Sequence, residues 1–246
     1  MKKQNINAQT ADMNSKVHLK IDWATHEAAK YACENWHYSK CTPSTLQKLF
    51  KIGIWENNSF IGVIIFGHGA NPQIGSPYGL SIYQVCELTR VAIKTGHFFE
   101  VSKYISIAIK FFLKKSFPNM KLIVSYADEG QCHHGGIYQA GNWIYVGKSK
   151  GVSQLFYKGK PWHAKALRTS FPNLKHSDPN VKKLPPSDKH KYLMPLDDEM
   201  RKKVKSLARP YPKRASSKDI VAVCDQQTEG GENPTDALQY RAGERT

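Results

Sequence analysis

Apolar positions recur with two periods along this chain. Trp23, Ala28, Ala29, Ala32 and Cys33 stand at helical spacing behind Asp22, a candidate N-cap, and predict a helix over residues 22–36. Residues 51–55 and 60–67 are runs rich in Ile and Val. Glu56-Asn57-Asn58-Ser59 between them has the chemistry of a hairpin turn. A third strand is predicted over residues 83–93, where Val85, Leu88, Val91 and Ile93 favour extended backbone. Ile105, Ala108, Ile109, Phe112 and Leu113 then form one stripe, so a helix capped by Ser102 should follow. Residues 122–126 predict a buried strand, 136–140 a short helix and 143–146 another strand. This order predicts an α/β (α+β mixed sheet) domain over residues 21–170.

The flanks lack such patterning. Residues 1–20 are polar, and 215–246 are rich in Ser, Asp, Glu, Gln and Gly; both are expected to be disordered. Residues 171–214 are basic and proline-rich, and read as an extension packed on the domain. A helix near 197–207 should interrupt it, with Asp197 and Asp198 at its start and Lys202, Lys203 and Lys205 near its end.

Composition narrows the class. At 246 residues, 40% hydrophobic and 23% charged, the chain can build a core without disulfides, and collagen-like or wholly disordered readings fail. The net charge of +16 favours a polyanionic partner, and nucleic acid fits best. The acids of the tail, Asp219, Asp225, Glu229, Glu232, Asp236 and Glu244, outweigh Arg241 and Arg245, so the rest of the chain is more basic still. Five cysteines without a C-x-x-C pair suit reduced thiols in a cytoplasmic protein. The N-terminus has no apolar run of a secretory signal, and the most apolar stretch, 104–113, is about half of the roughly 20 residues a membrane span needs. No membrane partner is expected.

Three clusters concentrate reactive groups: His37-Tyr38-Ser39, Glu87-Leu-Thr-Arg90 and residues 128–138. Each has a plain structural reading as well, a helix-end cap for the first and a cross-strand ion pair for Glu87 with Arg90. Asp128 follows a predicted buried strand, where ligands sit in open α/β sheets, and Gly135 and Gly136 would let backbone approach a ligand. Asp128 and Tyr138 are expected to meet in one pocket. His37, Asp128 and His133 or its neighbour His134 have the donor types of a two-histidine, one-carboxylate iron site, although adjacent histidines normally diverge. Lys148, Lys150, Lys158, Lys160, Trp162, Lys165 and Arg168, interleaved with Phe156 and Tyr157, suit phosphate neutralisation and base stacking. A base taken out of a duplex needs aromatic walls, for which Trp36, Tyr38 and Trp143 are candidates.

His37-Tyr38-Ser39, the run from Gly53 to Asn71, Glu87-Leu-Thr-Arg-Val91 and Gly136-Ile-Tyr-Gln-Ala-Gly-Asn-Trp143 together resemble the Mom family of phage DNA-modification proteins, over roughly residues 22–212. The resemblance implies a GNAT-like acyltransferase fold with a basic C-terminal extension. It also implies conversion of adenine in double-stranded DNA to its N6-carbamoylmethyl derivative, which shields phage or prophage DNA from restriction inside a bacterial host. Carried over by position, His37, Tyr38, Asp128 and Tyr138 would be catalytic, and Arg90, Ser102 and Lys103 would hold a donor such as acetyl-coenzyme A or another small molecule. Iron is associated with the family, with His37, Asp128 and His133 as its ligands here. The implied phosphate turn departs from the acyltransferase pattern, since Glu100-Val-Ser-Lys-Tyr-Ile105 has no glycine. Simple acyl transfer also gives an amide, whereas a carbamoylmethyl group joins nitrogen through a saturated carbon. The rival expectations are an acetyltransferase for protein or small-molecule amines and a non-catalytic DNA-binding protein on a decayed transferase fold.

Overall fold

The computed structural model describes residues 17–43, 49–69, 71–151, 153–162, 164–175 and 177–213, apart from the side chains of Lys114, Lys160, Pro161 and Lys165. The expected disorder of residues 1–16 and 215–246 lies outside the described residues.

Seven strands form one sheet: β1 (Leu19–Trp23), β2 (Leu49–Glu56), β3 (Ser59–Gly67), β4 (Val85–Ile93), β5 (Leu122–Asp128), β6 (Ile144–Ser149) and β10 (Lys189–Pro195), in the order β1-β2-β3-β4-β5-β10-β6. Every neighbouring pair is antiparallel except β4 with β5. This is the mixed α/β sheet that the sequence predicts. A second sheet of three short strands, β8-β7-β9, joins β7 (Gln154–Tyr157), β8 (Lys160–Trp162) and β9 (Lys182–Leu184).

Helix α2 (Val101–Ser116) and the short α3 (Gly136–Ala140) cover one face. Their Tyr104, Ile105, Ala108, Ile109, Phe112 and Tyr138 pack on Ile52, Ile54, Phe66, Leu88, Ile123 and Ala127. The other face is covered in two parts. Helix α1 (His26–Trp36) seats Ala29, Ala32 and Cys33 on Val63, Ile65 and Ala92. Helix α5 (Asp198–Lys205) seats Met200 and Val204 with Val85, Leu122, Val124 and Leu193. The remaining helix, α4 (Ala164–Ser170), lies beside the small sheet.

The hairpin is as expected, with Asn57 and Asn58 both at positive φ (47° and 65°), the geometry of a tight two-residue turn. Two expectations fail in instructive ways. The segment 19–23, read as unpatterned chain and helix start, is an edge strand: Ile21 lies opposite Ile54, and the α1 cap is Thr25, whose side chain accepts from Ala28 N at 3.1 Å. Tertiary pairing outweighs the helical spacing that includes Trp23. The basic segment after residue 170 is not an extension on a finished domain either. Its β10 enters the main sheet between β5 and β6, pairing with both, so the domain boundary at 170 would cut through the sheet.

Candidate active site

The site grows from an irregularity in β4. Phe66 lies opposite Leu88 while Ile65 lies opposite Arg90, so Thr89 is an extra residue, a bulge, whose hydroxyl donates to Ile65 O at 3.0 Å. In a regular strand Glu87 and Arg90 would point to opposite faces. The bulge restores them to the same one. The parallel pairing of β4 with β5 also stops here, its last register pair being Leu88 with Ser125. Beyond that pair β4 stays with β3 and β5 stays with β10, and the sheet opens.

Ser125, fully buried, bridges this opening: its Oγ lies 3.0 Å from the Leu88 carbonyl oxygen and 2.8 Å from the Tyr138 hydroxyl oxygen. Tyr138 stands below on the α2 and α3 side, packed on Trp143 and Tyr192. Burial pushes its phenol up to about 12, with Tyr38, Glu87 and Tyr192 acting the same way and the Ser125 bond opposing. It is therefore a protonated donor at neutral pH.

The opposite face gathers the other candidates. The end of α1 delivers His37 and Tyr38, with ring centroids 4.3 Å apart, and Tyr38 meets the edge of His133 at 5.0 Å. His37 is buried, which holds it down to about 3, with Arg90 and His133 adding to the effect. Its Nδ1 accepts from Ser39 N at 3.1 Å, so the single ring proton sits on Nε2. Tyr38 is half exposed. Burial raises its phenol, and Asp128 adds to that. Arg90 donates to the carbonyls of Thr89 (2.7 Å) and Cys41 (3.5 Å), which leaves its five-donor fork able to take an anion. Glu87 is the residue that sequence reasoning left out of the site. Burial raises its carboxyl, against the influence of Lys189 and Arg90, so it is a carboxyl near the opening with the character of a proton acceptor. The legible signal was its place in Glu87-Leu-Thr-Arg90, where a cross-strand ion pair was the competing reading; among the described residues no salt bridge joins the two.

The expected meeting of Asp128 and Tyr138 does not occur. Ser125 and Ala127 face the α3 layer, so strand alternation turns Asp128 to the other side. There Asp128 Oδ1 accepts from Ser187 Oγ at 2.7 Å and from Gly130 N at 3.0 Å, capping a 3-10 turn over 129–131. Tyr38, within electrostatic reach of both groups, connects them across the opening.

Other assignments need correction. Among the described residues no three His, Cys, Asp or Glu side chains gather to hold a metal. His37, Asp128 and His133 are therefore not gathered as the iron site that the resemblance implies. Ser102 is not a cap: α2 starts at Val101 after Glu100, and the Ser102 carbonyl accepts from Ser106 Oγ. Lys103 does not reach for a phosphate but lies 3.5 Å from the Phe99 ring centroid. Gly135, at φ 81°, serves packing: a Cβ there would come within 2.3 Å of the Tyr192 ring. Trp143 is buried and Trp36 packs on Tyr31 and Phe60, so of the expected aromatic walls Tyr38 alone is half exposed.

In the basic stretch, Lys148 is bound by Glu129 at 2.6 Å, and Trp162 packs on Phe171 with its Nε1 donating to Tyr157 O. Lys158 lies over the Phe171 ring at 4.9 Å. Lys150 and Arg168 are exposed, and the side chains of Lys160 and Lys165 lie outside the described ones. A surface cavity of about 410 Å³, lined by Phe156, Tyr157, Lys158, Pro179, Asn180 and Lys182, belongs to this small sheet and not to the opening.

The model of the Mom protein family matches residues 18–213. No curated protein matches the chain. Among solved structures, an N-acetyltransferase from Staphylococcus aureus Mu50 is 14% identical, with TM-score 0.43 over 73% of this chain and 99% of that one. A GNAT family acetyltransferase from Elizabethkingia anophelis with acetyl-CoA bound is 11% identical, with TM-score 0.39 over 72% and 98%. A Bacillus subtilis acetyltransferase in complex with CoA is 10% identical, with TM-score 0.39 over 74% and 99%.

Proposed function

Because the chain belongs to the Mom protein family, we propose that it is a DNA-modifying transferase acting at the opening between β4 and β5, where it converts adenine in double-stranded DNA to its N6-carbamoylmethyl derivative and so protects phage or prophage DNA from restriction. The observation that carries this reading is the pairing of two unlike settings across one opening. On one side the buried Tyr138 hydroxyl is kept protonated; on the other a half-exposed Tyr38 stands with neutral His37, cationic Arg90 and the carboxyls of Glu87 and Asp128. The extruded adenine enters from the polar side, where Tyr38 offers its ring for stacking. The exocyclic nitrogen attacks the saturated carbon of a carbamoylmethyl donor; the N–C bond forms as the bond from that carbon to the donor's leaving group breaks, and the nitrogen's proton passes to Glu87, whose carboxyl burial raises. Tyr138 gives its proton to the leaving group, and Arg90 holds an anionic part of the donor. The net charge of +16 supports a duplex as the carrier of the base.

Mass spectrometry of nucleosides from cells expressing the chain tests the reading. Carbamoylmethyl-deoxyadenosine that vanishes in Tyr138→Phe is the expected result. Unmodified deoxyadenosine together with acetylated amines would overturn it in favour of an amine acetyltransferase, and the absence of both in favour of a binding protein. Duplex affinity should fall by orders of magnitude between low and moderate salt.

A further inference from the structure

Between β6 and β10 the chain leaves the main sheet to build the small one, β8-β7-β9 with α4 beside it. Register fixes the point of departure. Lys189 opens β10 opposite Ser149, the last residue of β6, and at the same time opposite Asp128, the last residue of β5. The small sheet therefore rises from the Asp128 end of the main sheet, across β5 from the opening. Its stem is pinned there. Ser187 Oγ donates to Asp128 Oδ1 at 2.7 Å, Asp188 Oδ1 accepts from Gly151 N at 3.1 Å, and a Cβ on Gly151 would come within 1.9 Å of the Ser187 carbonyl oxygen.

The charges of this arm are of one sign. Over residues 154–184 Asp178 is the lone acid among lysines and arginines. Its carboxylate is turned on its own loop, where Oδ1 accepts from Asn180 N at 2.8 Å and from Asn180 Nδ2 at 3.0 Å. Among the described residues no cation of this stretch has a salt bridge, whereas Lys20, Lys30, Lys121 and Lys148 of the main body each have one. Arg168, Lys175, Lys182 and Lys183 are all exposed. Cations crowded without partners repel one another and attract a polyanion.

The cavity of the small sheet gives that charge a shape. Lys182 stands opposite Phe156 in the register of β7 with β9, and Lys158 Nζ lies 4.9 Å from the Phe171 ring centroid and 5.7 Å from that of Tyr157. Ammonium groups beside apolar ring surface suit the alternation of phosphate and sugar along a nucleic-acid strand. A small anion would use the cavity alone. A duplex carries phosphates along its whole length and can also engage cations outside the cavity, such as Lys183.

We infer that the small sheet with α4 grips the phosphate backbone of double-stranded DNA, and so holds the duplex across the Asp128 end of the main sheet, where the opening receives the extruded base. The inference rests on the proposed function for the choice of DNA as the polyanion.

Duplex affinity of the full chain, measured by fluorescence anisotropy over a series of salt concentrations, tests it. Combining Lys158→Gln, Lys182→Gln and Lys183→Gln is expected to flatten the slope of log affinity against log salt by about two to three units, near one for each phosphate contact removed. Lys202→Gln, Lys203→Gln and Lys205→Gln on α5 remove the same charge from the main body and should leave the slope as it is. A thermal transition like that of the native chain, read by circular dichroism, is required of both triple variants. Equal losses from the two, or an unchanged slope in the first, would overturn the inference. Displacement of the duplex by inorganic pyrophosphate at about 1 mM would also overturn it, by assigning the cavity to a small anion. Slope and nucleoside analysis fail separately. A flattened slope without carbamoylmethyl-deoxyadenosine sustains the grip and removes the reaction, and modification with an unchanged slope does the reverse.

Discussion

Tyr138 and Tyr38 carry one functional group in two settings, 7% and 50% exposed. Replacing Tyr138 with Phe keeps the ring packed on Trp143 and Tyr192 and removes the bond to Ser125. The expected cost is about 1 kcal/mol in urea unfolding, against a loss of about a hundredfold or more in DNA modification. Retained activity would remove Tyr138 from the chemistry. His37 makes a pH prediction. It stays neutral in the folded chain down to about 3, whereas the unfolded chain takes up the proton near 6.5. Its contribution is therefore complete above 6.5, and stability falls as pH drops towards 3, with a limiting slope of about 1.4 kcal/mol per pH unit. Urea midpoints of the native chain and His37→Gln, measured at about pH 7 and about pH 5, should show a smaller acid loss in the variant. The residue types of the site were legible from His37-Tyr38 and Glu87-Leu-Thr-Arg90. Which side of the sheet each would take was not, because one inserted residue, Thr89, reverses the parity of a strand.

At the scale of elements, local signals predicted most accurately where one short stretch decides the outcome. Asp197, expected at the start of this helix, is the cap of α5, accepting from Met200 N at 2.7 Å, and Asp197→Ala should cost about 1 kcal/mol in chemical denaturation. An unchanged midpoint would mean that packing of Met200 and Val204 alone holds the helix. The hairpin and the short helix Gly136–Ala140 were equally legible, the first through the Asn57-Asn58 turn, the second through its apolar pattern. Ser102 and Asp22 misled because any Ser or Asp before an apolar stripe looks like a cap. Glu100 takes the first position, and pairing with β2 takes Asp22 into a strand.

For the whole molecule, β10 is decisive. It lies between β5 and β6, with Tyr192 and Leu193 fully buried, so a chain ending at residue 170 lacks an interior strand. Such a truncation should show no cooperative thermal transition by circular dichroism, whereas one ending at residue 213 should keep the full transition. A cooperative melt from the shorter chain would restore the expected domain boundary. Among the described residues no helix is long and apolar enough to cross a membrane. The order of strands and helices along most of the chain, the basic character and the family were set by the sequence itself, because propensity, turn chemistry and motif succession are properties of contiguous residues. The opening between β4 and β5 and the separation of Asp128 from Tyr138 were decided by tertiary structure, because both depend on register and alternation between segments far apart in the chain, and neither leaves a trace in local spacing.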